Sequence, residues 1–188
     1  MTKHPPPRLS ARHLFVALAA LVLALAFGSA PVTAQSPSLS GTWRLQGDPA
    51  AAQAAIQQSV EPAIRTLAPD LQRLARARIA ETTWVPSTIT ITATPARISV
   101  AYAGEENRTF DTAPGQPQNV YSRSGVRAQL TQTYLPNGGI QQQFVALDGQ
   151  QFNVLMPDPS GRLLYLDVTM RSPRFSQEIR FRLVYQRG

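Results

Sequence analysis

Leu39-Ser40-Gly41-Thr42-Trp43-Arg44-Leu45 is the stretch of sequence that decides the fold, because it predicts a short strand headed by Gly-Thr-Trp. A segment with helical periodicity follows it, and after Trp84 the apolar residues recur with the period of two that is typical of strands. One strand, a helical segment and a long run of hairpins form the layout of a small barrel. In such a barrel we expect the first strand to lie beside the last.

The residues before this strand have the pattern of a secretory signal peptide. Three basic residues precede an apolar run over residues 14–27, and Val32-Thr33-Ala34 is a small-residue cleavage pattern. The alternative is a membrane anchor, but the run has 14 residues and a helix needs roughly 20 to span a bilayer. We expect residues 1–34 to be removed after Ala34. The product would be periplasmic or secreted, with no membrane-spanning segment left.

The remaining residues, 35–188, contain no histidine, lysine or cysteine. Ser-His-Asp and Cys-His catalysis, Schiff-base chemistry and zinc sites with His or Cys ligands each lack a required group. Only carboxylate chemistry remains, so we expect no enzyme, no metal site and no cofactor. Without disulfides, this single domain must be stabilised by its own core.

The charge of residues 35–188 is modestly positive. Fifteen of the 18 basic residues remain against all 11 acidic residues, which lowers the net charge from +7 to +4. These arginines are not clustered into the basic stripe that nucleic-acid binding requires. We therefore expect no nucleic-acid partner.

A pair of helices is predicted over about residues 49–80. Asp48 has the side chain of an N-cap, and Pro49 suits the first helical position because proline lacks an N–H group. Pro69 predicts the break between the two helices. The first helix has one apolar stripe with spacings of four, four and three, formed by Ile56, Val60, Ile64 and Leu67.

About ten strands are predicted, in antiparallel order along the chain. Asp148-Gly149 is predicted as a two-residue turn in the second half of the chain. The predicted strands cover residues 42–46, 89–91, 98–102, 108–112, 119–123, 126–134, 140–147, 151–156, 162–171 and 177–186.

In the second half, one face of the sheet is predicted to be apolar and the other polar. Closure into a barrel with the apolar face inside removes the exposed edges of the sheet. The opposite orientation, apolar face toward lipid, needs strands of roughly 9 to 11 residues, and several predicted strands are shorter. The apolar set is Phe152, Val154, Met156, Leu164, Leu166, Val168, Met170, Ile179, Phe181, Leu183 and Tyr185, and the polar set includes Gln129, Thr131, Thr133, Gln141, Gln143, Asn153, Thr169, Arg180 and Arg182.

The arrangement resembles the calycin superfamily, in particular its fatty-acid-binding-protein-like and lipocalin-like barrels. Gly41-Thr42-Trp43, the helical pair after the first strand and the ten-strand meander carry the resemblance. It implies an all-β, antiparallel up-and-down barrel over residues 35–188, capped by the helices, with Trp43 at the closed end. It also implies an arginine of the last strand packed over Trp43, for which Arg182 and Arg187 are the candidates.

The sequence departs from the resemblance at the carboxylate site. Many fatty-acid-binding proteins hold the ligand carboxylate with Arg-x-Tyr on the last strand. Here Arg180 and Arg182 have the opposite parity to Tyr185, and only the reversed order Tyr185-x-Arg187 has that spacing. The predicted ligand-binding residues are Trp43, Phe144, Phe152, Leu166, Phe181, Arg180, Arg182 and Tyr185.

Three functional hypotheses follow. The leading one is a non-enzymatic barrel that holds a small apolar or amphipathic, lipid-like ligand beneath its helices. The second is an envelope interaction or inhibitor protein in which a barrel with a filled core is only a scaffold for a protein partner. The third is an enzyme, such as an isomerase or lyase, that works through carboxylates and tyrosine. It needs a buried Asp or Glu, for which Asp167 is the candidate because it lies in a predicted strand rather than a turn.

Overall fold

The computed structural model describes residues 39–188, which form ten strands and two helices. The predicted signal peptide, its cleavage after Ala34 and the domain boundary at residue 35 lie outside the described residues. Helices α1 (Pro49–Ile64) and α2 (Pro69–Ala80) follow the first strand, as predicted. The strands are β1 Gly41–Leu45, β2 Thr88–Thr94, β3 Arg97–Ala103, β4 Arg108–Thr112, β5 Gln118–Tyr121, β6 Arg127–Tyr134, β7 Ile140–Ala146, β8 Gly149–Pro157, β9 Leu163–Arg171 and β10 Ile179–Arg187.

All ten strands belong to one antiparallel sheet with the order β4-β3-β2-β1-β10-β9-β8-β7-β6-β5. The first strand lies between the second and the last, and Trp43 is paired with Ile89 on one side and Arg187 on the other. The sheet therefore curls into a nearly closed barrel, which confirms the predicted fold class. The barrel is open between β4 and β5, the two strands at the ends of the sheet order.

The helices begin where the sequence predicts. The Asp48 carboxylate accepts hydrogen bonds from the backbone N–H groups of Ala50 and Ala51, and Pro69 starts α2. One face of α1 is buried in the core through Ile56, Val60, Ala63 and Ile64. Within residues 39–188, no helix is long and apolar enough to cross a membrane.

The barrel interior contains an aliphatic core around one tryptophan. Trp43 is fully buried, and its indole N–H donates to the carbonyl oxygen of Leu39 at 3.1 Å. The other large, fully buried side chains are Tyr185, Ile56, Ile64, Ile89, Ile91, Ile98, Leu130, Ile140, Leu155, Leu164 and Ile179.

The β7–β8 hairpin corrects the predicted inner face of β8. Its turn is Leu147-Asp148, one residue earlier than predicted, because Ala146 is paired with Gly149. In this register the buried residues of β8 are Asn153, Leu155 and Pro157. Phe152, Val154 and Met156, which were predicted to face inward, instead lie on the outer face.

Candidate functional site

A cavity of about 390 Å³ lies inside the barrel, at the end that the helices cover. It is bounded by α2, by the segment 83–86 that leads into β2, and by the turns β5–β6, β7–β8 and β9–β10. The large core side chains Trp43, Leu155 and Leu164 are not part of its lining. The barrel is thus packed solid at one end and hollow at the other.

The cavity wall is mostly apolar. Strands β7, β9 and β10 contribute Phe144, Leu166 and Phe181, and α2 contributes Leu71 and Leu74. Strand alternation explains the pattern, since Leu166 is paired with Leu183 and Val168 with Phe181 on the same face of neighbouring strands. The remaining apolar lining includes Ala75, Ile79, Val120, Ala128 and Met170.

Aromatic rings form a continuous row along one side of the cavity. Trp84 contacts Tyr102, Tyr102 contacts Phe110, and Phe110 contacts Phe144, with ring centroids 6.5, 6.0 and 5.2 Å apart. All three contacts have the edge-to-face geometry that aromatic pairs prefer. Phe110 lies on β4 and Phe144 on β7, so this row connects the two sides of the opening between β4 and β5 from within.

A cluster of neutral polar side chains crosses the barrel interior. The Tyr102 hydroxyl donates to Oε1 of Gln142 at 2.5 Å, and Nδ2 of Asn153 donates to the same oxygen at 3.3 Å. Nε2 of Gln142 donates to Oε1 of Gln132 at 2.8 Å, and Nε2 of Gln151 donates to Oδ1 of Asn153 at 2.9 Å. We call Tyr102, Gln132, Gln142, Gln151 and Asn153 the amide cluster.

The amide cluster also closes the barrel. Nε2 of Gln132 on β6 donates to the carbonyl oxygen of Ile98 on β3 at 3.0 Å and to Oγ1 of Thr112 on β4 at 3.1 Å. These bonds bridge the opening between β4 and β5. Burial raises the pKa of Tyr102, so its hydroxyl stays protonated and remains a hydrogen-bond donor at neutral pH.

The charged side chains that line the cavity lie at its rim. Arg78 at the end of α2 forms an ion pair of 2.7 Å with Asp148 in the β7–β8 turn. Arg108, the first residue of β4, forms one of 2.7 Å with Glu106. Among residues 39–188, no carboxylate forms a salt bridge with Arg174 in the β9–β10 turn.

A second polar contact ties α2 to the rim. Glu81, which follows α2, accepts a hydrogen bond of 2.7 Å from the hydroxyl of Ser124 in the β5–β6 turn. The Ser124 hydroxyl is the largest influence that lowers the pKa of the Glu81 carboxyl, and burial opposes it. The contacts of Arg78, in the last turn of α2, and of Glu81, directly after it, therefore hold this helix over the cavity.

Three of the predicted ligand-binding residues, Phe144, Leu166 and Phe181, line the cavity. Trp43 and Tyr185 do not, because both are fully buried in the core. The Tyr185 hydroxyl donates to the carbonyl oxygen of Pro86 at 3.1 Å. Trp43 and Tyr185 therefore belong to the packed core and not to the cavity wall.

The other predicted ligand-binding residues lie on the outer face. Arg180 forms an ion pair with Glu178, and Arg182 forms one of 2.6 Å with Asp167. Phe152 is covered by the guanidinium of Arg171, 5.4 Å from its ring centroid. Strand alternation places these side chains away from the cavity, because their neighbours in each strand point inward.

The amide cluster is the part of the site that the sequence analysis missed. The alternation in the sequence predicts Asn153 on the polar outer face, and it does not single out Gln142. Antiparallel pairing could have revealed the position of Asn153, because directly paired residues lie on the same face of a sheet. Asn153 is paired with Val168, whose side chain is predicted to face inward. Within the described residues, no group of three or more His, Cys, Asp or Glu side chains is placed to hold a metal ion.

Comparisons with known proteins identify the fold. No family model matches the sequence, and no curated protein matches it. A Schistosoma mansoni fatty acid binding protein in complex with arachidonic acid is similar in structure, with 14% identity, a TM-score of 0.51 and coverage of 81% of this chain and 98% of that chain. A REP1-NXSQ fatty acid transporter also matches, with 12% identity, a TM-score of 0.48 and coverage of 80% and 96%. The chain therefore shares its fold with the Schistosoma protein, and its nearly closed, ten-stranded barrel is consistent with the calycin-like fold that the sequence resemblance predicts.

Proposed function

We propose that this protein is a non-enzymatic binding protein that holds a small apolar or amphipathic, lipid-like molecule inside its barrel. The cavity beneath α2 is the observation that carries the proposal. Its volume of about 390 Å³ falls within the range of roughly 300 to 1,000 Å³ for small-molecule sites. A ligand in it would contact the apolar side chains of Phe144, Leu166 and Phe181.

The lining chemistry suits an alkyl or ring skeleton. Burial of each methylene group stabilises a complex by about 0.8 kcal/mol, so a skeleton of moderate length supplies most of the binding free energy. Because the charged side chains lie at the rim, the charged group of an amphipathic ligand would also lie there, in contact with water and with arginine. The Schistosoma protein is in complex with arachidonic acid, a molecule of this general chemistry.

The alternative hypotheses have less support from the geometry. A scaffold with a filled core does not match a barrel that is hollow beneath its helices. The enzyme hypothesis depended on Asp167, which lies on the outer face in an ion pair with Arg182, away from the cavity. The proposal also includes export to the periplasm or beyond, which the signal-peptide pattern of residues 1–34 supports.

Mass spectrometry tests the proposal most directly. The full-length chain, expressed with residues 1–34 and purified from the periplasm, is weighed under native conditions and again after organic extraction. We expect a stoichiometric apolar molecule to leave on extraction. An empty protein that also fails to bind any apolar fluorescent probe or acyl ligand would overturn the proposal.

A cavity-filling variant locates the site. Ala128 lines the cavity on β6, so Ala128→Trp should reduce probe binding by at least about tenfold by occupying the space that the ligand needs. Ala101 lies on the outer face of β3 and makes Ala101→Trp a matched control. Equal binding by both variants would place the ligand elsewhere.

A further inference from the structure

Neutral polar side chains interrupt the apolar wall at the floor of the cavity. Tyr102 and Asn153 both line the cavity, and both are more than nine-tenths buried, with exposures of 6% and 8%. Gln151 lies two residues closer to the rim on the same face of β8 and also lines the cavity. Gln132 and Gln142 lie behind them, fully buried and outside the cavity lining.

The inner half of this cluster is explained by barrel closure. Gln132 bonds the backbone of β3 and the Thr112 hydroxyl of β4, and Gln142 connects Gln132 to Tyr102 and Asn153. Among the described residues, every buried side-chain nitrogen and oxygen has a hydrogen-bond partner. These inner groups therefore have no need of a ligand.

The Gln151 side chain has hydrogen-bonding groups that closure of the barrel does not use. Its Nε2 donates to Oδ1 of Asn153, but a carboxamide nitrogen carries a second hydrogen and its oxygen carries two lone pairs. Within residues 39–188, no partner bonds the Oε1 atom of Gln151. The carbonyl of Asn153 likewise retains one lone pair. Both side chains line the cavity, so together they provide it with a hydrogen-bond donor and acceptors.

The charge distribution limits what this end of the cavity accepts. The charged lining residues lie at element ends or in turns around the rim, and they are Arg78, Glu81, Arg108, Asp148, Arg171 and Arg174. No charged side chain of the described part of the chain lines the floor. An ionised carboxylate buried against Tyr102, Asn153 and Gln151 would lack a counter-charge, which disfavours it strongly.

We propose that the ligand has an apolar skeleton whose buried end carries a neutral oxygen function, a hydroxyl, keto or amide carbonyl group, which hydrogen-bonds to Gln151 and Asn153. This inference rests on the proposed lipid-binding function and names the class of ligand. A ligand of this class replaces solvent at the spare donor and acceptors without introducing a buried charge. A carboxylate, where the ligand has one, remains at the rim beside the arginines.

A competition experiment with three twelve-carbon ligands tests the inference. 1-Dodecanol, dodecane and dodecanoate compete with an apolar fluorescent probe bound to the full-length protein at pH 8. We expect dodecanol to bind about five- to tenfold more tightly than dodecane, the difference that one buried hydrogen bond makes. Dodecanoate should not show a comparable gain in affinity over dodecane, because its carboxylate is not accepted at the floor of the cavity.

Two matched variants assign the effect to Gln151. Gln151→Met preserves the length of the side chain but removes its donor and acceptor, so the advantage of dodecanol over dodecane should fall to about twofold or less. Gln143→Met makes the same change on the outer face of β7, where Gln143 is paired with Phe152, and should leave the advantage unchanged. Affinity for dodecane should be similar in all three proteins.

The outcomes separate this inference from the proposed function. Equal affinity of the wild-type protein for dodecanol and dodecane, or an advantage that survives Gln151→Met, overturns the inference and leaves lipid binding standing. Failure of all three ligands to displace the probe counts against the proposed function itself. If Gln151→Met does not fold, the ratio of wild-type affinities decides the question alone.

Discussion

The guanidinium carbon of Arg187 lies 4.4 Å from the centroid of the Trp43 ring, at the solid end of the barrel. The same guanidinium donates hydrogen bonds to the carbonyl oxygen of Gly161 at 3.0 Å and to that of Ser40 at 3.3 Å. Of the two arginines predicted to cover the tryptophan, Arg187 does so and Arg182 does not. Arg187 thus joins the last strand, the first strand and the β8–β9 turn.

Replacement of this arginine should destabilise the fold. Arg187→Ala removes a cation–π contact worth about 0.5 to 2 kcal/mol together with two hydrogen bonds. We expect the free energy of unfolding to fall by about 1 to 3 kcal/mol, measured by urea denaturation. Arg44→Ala, on the exposed outer side of neighbouring β1, is the control and should change it by less than about 0.5 kcal/mol. Equal effects of the two changes would contradict the assigned role of Arg187.

Gln132 should hold the two sides of the barrel opening together. Gln132→Leu removes the donors to Ile98 and Thr112 and leaves buried groups unpaired, each at a cost of about 1 to 3 kcal/mol. We expect faster hydrogen exchange at the amides of β4 and lower stability. Gln141→Leu, with the same change on the outer face of β7, should leave β4 protected. Unchanged exchange in Gln132→Leu would show that the opening is closed by other contacts.

The ion pair between Arg78 and Asp148 should slow ligand entry. Asp148→Asn releases α2 from the β7–β8 turn, and an exposed pair of this kind is worth about 0.2 to 1 kcal/mol. We expect an apolar probe to enter about two- to fivefold faster by stopped-flow fluorescence, with little change in stability. Asp111→Asn breaks the pair with Arg97, away from the cavity lining, and should leave the entry rate unchanged. Entry rates that stay the same in Asp148→Asn would exclude this pair as a gate.

Acid should loosen the contact between Glu81 and the β5–β6 turn. Because the folded-state pKa of Glu81 is lowered from its usual 4.5, the stabilisation is complete above about pH 4.5 and is lost as the pH falls through the lowered pKa. The Ser124 backbone N–H donates to the same carboxylate at 3.4 Å, so we expect it to exchange faster, as the pH falls below about 4.5, than the intrinsic pH dependence of exchange predicts. Glu81→Gln should remove this excess, and an excess that persists in the variant would assign it to other carboxylates.

Local structure was largely predictable from the sequence. Asp48, Pro49 and Pro69 mark the helix boundaries through side-chain capping and through the fixed backbone angle of proline, which depend on neighbouring residues only. The alternation in β9 and β10 correctly placed Leu166 and Phe181 inside, because every second residue there is apolar.

The prediction failed at β8, where both faces carry apolar residues. Phe144 and Phe152 were assigned to one face, but a two-residue turn pairs residues whose numbers add to an odd total, as Phe144 and Gln151 do. These two phenylalanines therefore cannot share a face. The predicted turn at Asp148-Gly149 also has two residues, so the same rule pairs Phe144 with Asn153. It therefore predicts that Asn153, a polar residue of β8, lies inside the barrel.

The sequence by itself determined the order of strands and helices, the pairing partner of the Gly41-Thr42-Trp43 strand and most of the inner face of the last two strands. These features depend on periodicity, capping and proline geometry, which are properties of short segments. Only the tertiary structure decided that the barrel is hollow beneath α2 and that Tyr102 and Asn153 meet at the cavity floor. Those contacts join strands far apart in the chain. The physical reason is that the volume of the side chains and the register of the strands act together across the whole curled sheet, which no short segment determines.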